Sequence, residues 1–503
     1  MNEPMKRLRH QLREVADLES IAAVLEWDQN TYMPQGGAEA RGRQLAVIQT
    51  IAHRQLVSDE MRSLLRQLAP ISDRDDEDGA LIRKAARKAE RARRMPSEFV
   101  SELKEHLSRS YVCWTQARKH SDFASVQPFL EKTLELSLRK SEYLGFENHP
   151  MDPLVDQWDP GMNVSTVRSL FSELRSELLP LVRKIVDQPR KESSIAGVPF
   201  DEERQLAVGR YIAEALGYDF ERGRQDLTHH PFMTRLSGGD VRITTRVLPN
   251  DLEYSLFSTI HETGHALYEQ GIRADFDASP LGEGASAGVH ESQSRLWENL
   301  VGRSLSFWKR FYPELQTHFP EQLQEVDLDS FYSSINRVEP SLIRTEADEV
   351  TYNLHVMLRF ELECQMLEGT LRVSDLPEAW NARMSDDFQL KPTEDRLGVL
   401  QDVHWYCETI GGLFQGYALG NVMSAQFYYA AIQSEPKVAE GVAEGDFKPL
   451  RDWLTAHVYQ HGARYEPIEL IEKATGKPLA IDDFMTYLLE KFGALYSLER
   501  RSP

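Results

Sequence analysis

Cysteine is scarce: Cys113, Cys364 and Cys407 are the only three in 503 residues. An odd number so widely separated argues against a disulfide framework and makes a reducing cytoplasm the expected home. Long apolar runs are also missing. "SIAAVLEW" (20–27) is among the longest, well short of the roughly 18 residues a membrane span needs. The opening "MNEPMKRLRHQLREVADLES" is charged throughout and lacks the apolar core of a secretory signal. Positive charge is in deficit. A net charge of −21 repels phosphate backbones and anionic lipid, so neither nucleic acid nor membrane is an expected partner. One basic run, "IRKAARKAERARR" (82–94), stands against that trend. It has no aromatics between its charges on which bases could stack, so it reads as a solvated helix.

The chain does have enough apolar material to fold. Its hydrophobic fraction of 41% and aromatic fraction of 9% are those of a globular protein. In the N-terminal segment Leu8, Leu12, Val15, Leu18, Ile21 and Leu25 recur at three- and four-residue steps, the period of one helical face. The segments 164–186 and 345–367 repeat that spacing. Proline and glycine punctuate the chain at 149–162, 189–199 and 279–288, yet no repeat and no long polar linker marks a boundary. The expected fold is all-α with a small β element: one domain over 1–503, at most two lobes around a groove. The β element is "DVRITTRVL" (240–248), where Val241, Ile243, Thr245 and Val247 alternate with Arg242, Thr244 and Arg246. An edge strand there could pair with an extended peptide. A structural hairpin is the plainer alternative.

Just beyond it lies "LPNDLEYSLFSTIHETGHALYEQG" (248–271). Asn250 and Asp251 are cap-type residues, Gly271 is a stop, and Leu256, Ile260 and Leu267 form an apolar side. His261 and His265 are four apart, so both imidazoles leave the helix on one side and can share one zinc ion. Glu262 then reaches water at the metal as a catalytic base. A coincidence of polar residues is the alternative, and the capped amphipathic setting argues against it. A catalytic site of this kind needs a third ligand and an open position. Glu291, in "AGVHESQSRLWENLVG" (287–302), is the preferred ligand and His290 the competitor. The Gly/Ala/Ser stretch 282–288 matches no phosphate fingerprint and reads as a tight turn presenting Glu291.

Six motifs in order, "HHPF" (229–232), "DVRITTR" (240–246), "HETGH" (261–265), "HESQSRLWEN" (290–299), "IRTEADEVTYNLH" (343–355) and "LQDVHW" (400–405), closely resemble the carboxypeptidase Taq family of metallocarboxypeptidases. "LEWDQNTYMPQGGAEAR" (25–41) and "DPLVDQWDPGM" (152–162) extend the likeness nearly end to end. The resemblance implies a helical fold with a long central groove, similar to angiotensin-converting enzyme and neurolysin, and a homodimer. It implies release of single residues from peptide C-termini with broad preference and poor action on proline, with zinc as cofactor and cobalt as a substitute.

Residue roles follow motif by motif. Arg344 is the expected clamp on the substrate carboxylate, since a guanidinium fork pairs both oxygens. Its plain alternative is an ion pair with Glu346 or Asp348. His404 and Tyr417 are the expected donors to the oxyanion, with Gly411, Gly412 and Gly416 lending the segment mobility. Here the sequence departs from its relatives. Where they read like F-G-Y-F-P-x-Y, this chain has "GGLFQGY" (411–417), with Leu413 in place of a tyrosine and no proline. His230, Asp240 and Arg242 are expected to line the groove. A buried structural histidine is an equal alternative for His230, and His355 reads as support, not a ligand. Two other functions compete: a zinc endopeptidase or dipeptidase of the same architecture, and a non-catalytic helical scaffold with a relict metal site. The intact Glu262 speaks against the relict.

Overall fold

The computed structural model describes residues 3–498 and is 70% helical with one three-stranded sheet. The chain divides into two compact units, each assembled from three separate stretches. The first takes residues up to 93, 192–335 and 423–479; the second takes 94–191, 336–422 and the stretch from 480 onward. The chain crosses between units in mid-sequence, so no single linker could have announced them.

In the first unit, α1 (Glu3–Thr31) buries Met5, Leu8, Leu12, Val15, Ala22 and Trp27. The expected face holds as far as Val15 and then rotates away. Ile21 is 47% exposed, and the covered side shifts to Trp27, whose ring lies 4.3 Å beneath the Arg242 guanidinium. A helix of 29 residues is long enough for its contact stripe to drift. α2 (Ala38–Leu56) packs back on α1. The basic run belongs to α3 (Glu77–Arg94), which is solvated on one side only, because Ala80, Ala85 and Ala89 are buried. Its cations are met within the protein: Lys88 by Glu19 at 2.7 Å and Arg87 by Glu466 at 3.0 Å.

The sheet runs β1 (Gln225–Leu227), β3 (Asp240–Thr245), β2 (Met233–Ser237), with β1 parallel and β2 antiparallel to β3. The expected strand is real but ends at Thr245, and it is central, not an edge. Its N–H and C=O groups already have ladder partners, so β3 cannot be the strand that captures a peptide. Val241 and Ile243 face inward. Thr245 is also buried, because the helix that follows, α4 (Leu252–Gly271), covers it: its Oγ1 lies 2.9 Å from Ser258 Oγ.

A turn then leads into α5 (Ala287–Arg295), capped by Ser286, whose hydroxyl accepts from Val289 N–H. α5 continues as a wider π-helical stretch over Leu296–Val301. In the second unit, α6 (Tyr352–Leu367) is almost wholly buried. It begins later than the expected 345 because Asp348 stops the chain there, accepting from the amides of Val350 and Thr351 at 2.9 Å. Two further elements matter: α7 (His404–Cys407) and α8 (Phe414–Ser434).

Candidate metal centre

α4 is built to hold polar groups at a fixed depth. The Asp251 carboxylate accepts from Tyr254 N–H and starts the helix. Leu256, Phe257, Ile260 and Leu267 anchor one side in the core. His261 and His265 project from another side, and the Glu291 carboxylate of α5 comes to meet them. Glu291 Oε2 lies 3.7 Å from His261 Nε2 and 3.5 Å from His265 Nε2. One ligand atom from each of the three lies within 4.8 Å of the others, and among the described residues no other trio of His, Cys, Asp or Glu gathers this way. Two imidazole nitrogens and a carboxylate form a donor set suited to a borderline divalent cation.

Close approach of the two helices makes this possible. Gly264 sits where α4 touches α5, and a Cβ there would lie 2.6 Å from Gln293 O and 2.7 Å from Ser294 Cα. The glycine between the histidines of the motif is therefore a packing requirement.

Each donor is gripped from behind. Arg295 Nε donates to Glu291 Oε1 at 2.7 Å, and Ser294 Oγ donates to Glu291 Oε2 at 3.1 Å. Burial alone would raise this carboxyl, but Arg295 and the two imidazoles outweigh it and hold it well below the ordinary carboxylate range. His261 Nδ1 lies 2.9 Å from Glu298 Oε2, which also accepts from Arg295 Nη1 at 3.1 Å. His265 Nδ1 lies 2.6 Å from His290 Nδ1. Burial pushes the His265 imidazole down to about 3, keeping it neutral as a metal ligand requires. Burial, reinforced by Glu291 and Glu298, raises Glu262 to about 7 although His261 and His290 pull the other way. His290, the competing third ligand, lies behind His265, with its other nitrogen 2.9 Å from Glu269 Oε1. Glu298 went unread in the sequence, although Glu291, Arg295 and Glu298 at steps of four and three form a helical stripe.

Nearly the whole chain matches known proteins. The sequence profile of the carboxypeptidase Taq (M32) metallopeptidase family matches residues 7–492. The chain belongs to that family. As an M32 metallocarboxypeptidase family member it is a peptidase hydrolase, and the family implies a divalent metal. It is 39% identical to thermostable carboxypeptidase 1 of Thermus thermophilus, over 96% of this chain and 97% of the relative. An M32 carboxypeptidase structure from Deinococcus radiodurans is 47% identical, with a TM-score of 0.96 and coverage of 99% and 100%. A carboxypeptidase structure from Pyrococcus furiosus is 34% identical with a TM-score of 0.95, covering 98% of this chain and 99% of that one.

Other motif residues of this M32 chain lie as follows. In the first unit, Asp240 and Arg242 pair with each other at 2.7 Å, and His230 is exposed on a bend, which removes the buried-histidine alternative. In the second unit, Arg344 is 7% exposed. Its partner is neither Glu346 nor Asp348. Nε and Nη2 both donate to Asp402 Oδ1 (3.0 and 2.9 Å), and Nη1 donates to Tyr352 OH at 3.0 Å. Asp402 also accepts from Arg359 at 2.5 Å, a residue with no exposed surface. Tyr417 OH lies 3.4 Å from His404 Nε2, and its ring stands 5.3 Å from the Arg344 guanidinium. His355 is buried against Phe388 and supports Arg359 through its backbone carbonyl, 2.7 Å from Nη1. Gly411 and Gly412 are not loose. Both have left-handed φ (94° and 95°), and a Cβ would lie 2.8 Å from Met151 Sδ at the first and 2.4 Å from Leu154 O at the second.

A methyl group at the helix contact tests the packing argument. Gly264→Ala is expected to cost about 1–3 kcal/mol of stability and to lower metal uptake, read by denaturant midpoint and metal analysis of the purified protein. Parental values for both would mean the helices part without consequence.

Proposed function

We propose that this chain removes single residues from the free C-termini of peptides, with broad preference and little action on proline, using zinc, for which cobalt can substitute. The observation that carries the reading is the convergence of His261, His265 and Glu291 on one point, with Glu262 buried beside them in sequence. A divalent cation held by these three would polarise the scissile carbonyl and make water acidic enough to ionise near neutral pH. Glu262 takes the proton of the attacking water and delivers it to the leaving amine. Its carboxyl, raised to about 7 by burial, can give and take a proton near neutrality.

Arg344 recognises the terminal carboxylate. Its hydrogen bonds to Asp402 and Tyr352 use three of five N–H groups, leaving one hydrogen on each terminal nitrogen. His404 and Tyr417 donate to the developing oxyanion, while His230, Asp240 and Arg242 contribute to holding the peptide. We place the enzyme in the cytoplasm, where Cys113, Cys364 and Cys407, all unpaired, remain thiols, and infer a homodimer.

The test compares a peptide with its C-terminally amidated form, using zinc-loaded protein of measured metal content. The parent should release terminal residues from the free acid only. Arg344→Ala should lower kcat/KM on the free acid by about 10- to 150-fold, the worth of a charged hydrogen-bonded pair, with zinc retained. Asp402 keeps Arg359 as its partner in that variant. Equal cleavage of both peptides by the parent would instead indicate an endopeptidase.

A further inference from the structure

The two histidine ligands are backed in different ways. His261 Nδ1 meets a carboxylate directly, Glu298 Oε2 at 2.9 Å. His265 Nδ1 meets another imidazole, His290 Nδ1 at 2.6 Å, and only beyond that ring does a carboxylate follow, Glu269 Oε1 at 2.9 Å from His290 Nε2. Glu269 is 3% exposed. Its Oε1 also accepts from Gly284 N–H at 3.2 Å, and its Oε2 lies 3.1 Å from Arg235 Nε. Space for the middle ring depends on a missing side chain: a Cβ at Gly284 would lie 2.7 Å from His290 Cδ2.

Proton positions along this chain are dictated from both ends. The His265 nitrogen on the Glu291 side is Nε2. To ligate a cation it must be bare, so the proton sits on Nδ1 and is donated to His290. His290 Nδ1 must then be bare as well, which places its proton on Nε2. That position faces a carboxylate that can only accept. Every hydrogen bond points from the metal side towards Glu269, and neither ring can reverse alone without setting two donors or two acceptors against each other. Second neighbours of this kind fix the orientation of a ligating ring and raise its basicity.

Building on the assignment of the metal to His261, His265 and Glu291, we propose that His290 is a positioning residue for metal binding. Through it, the buried Glu269 carboxylate locks His265 in the Nδ1-protonated tautomer with Nε2 aimed at the cation. His290 therefore acts through His265 and is not itself a ligand.

The experiment measures the affinity of metal-stripped full-length protein for Zn2+ by competition with a chromophoric chelator, together with its zinc dissociation rate. His290→Phe keeps a ring but removes both nitrogens, and it is expected to weaken zinc by about 10- to 100-fold. His290→Asn sets an amide oxygen where Nδ1 was, so it can still accept from His265, and it should recover most of that loss. Glu269→Gln acts one bond further out and should weaken zinc several-fold, giving a second reading should the phenylalanine variant fold poorly. Parental zinc affinity in folded His290→Phe, or an asparagine variant no better than the phenylalanine one, would overturn the proposal. Failure of the parent itself to bind zinc would instead strike the metal assignment.

Discussion

Replacing Glu262 by glutamine is expected to lower kcat by roughly 10²–10⁴-fold, the range by which a positioned acid–base group accelerates proton transfer. The divalent metal content should stay at the parental level. Glutamine matches the shape of the carboxyl but cannot accept a proton. Glu291 is held by Arg295 and Ser294, His261 by Glu298 and His265 by His290, and none of these contacts depends on Glu262. Metal analysis and steady-state kinetics on one preparation separate the two effects. Activity retained at the parental level would remove Glu262 from the chemistry, and activity lost together with metal would make it a structural residue.

An effect of similar size is expected in the second unit, on stability. Asp402 lies between two buried cations, accepting from Arg344 on Oδ1 at 2.9 Å and from Arg359 on Oδ2 at 2.5 Å. Burial opposes its ionisation, yet Arg359 and Arg344 together hold it well below the ordinary aspartate range. Asp402→Ala strands the Arg359 guanidinium, which has no exposure to water and would keep only Gln401 Oε1 and the His355 carbonyl. Breaking one side of such a buried pair costs about 3–5 kcal/mol, to be read as a lowered denaturant midpoint at neutral pH. The pH dependence has a definite sign. A carboxyl whose folded pKa is depressed contributes fully above its unfolded value, about 3.9. That contribution fades as pH falls through the lower folded value. The gap between parent and variant should therefore be widest near neutrality and narrow in acid. A midpoint unchanged at pH 7 would show that the two arginines tolerate each other without it.

What could be read in the sequence was local. The span of α4, its Asp251 cap and the common direction of His261 and His265 all follow from periodicity and capping. These are short-range properties that the residues themselves carry. Glu291 was a candidate because the donor chemistry demanded a third ligand and its distance from His265 along the chain leaves room for a loop and a returning helix. Pairing was not legible. Nothing in "DVRITT" tells that β3 is central, because its parallel neighbour Gln225–Leu227 is three residues long and has no pattern of its own. The partner of Arg344 is Asp402, 58 positions away, while nearer acids invited a local pairing, and Asp348 is engaged instead by the amides of the turn before α6. The Gly411–Gly412 pair looks like slack in a sequence. Only the neighbouring Met151 and Leu154 reveal it as a place where backbone must press against a side chain at Gly411 and against backbone at Gly412.

The arrangement around Glu291 and the two imidazoles has a further consequence. Arg295 and Ser294 fix the carboxylate, Glu298 fixes one ring, and His290 fixes the other. Each donor of the cage therefore has a protein contact behind it, and the chain entropy of making those contacts is lost when the polypeptide folds. One cation could then leave and another enter without the surrounding helices having to melt.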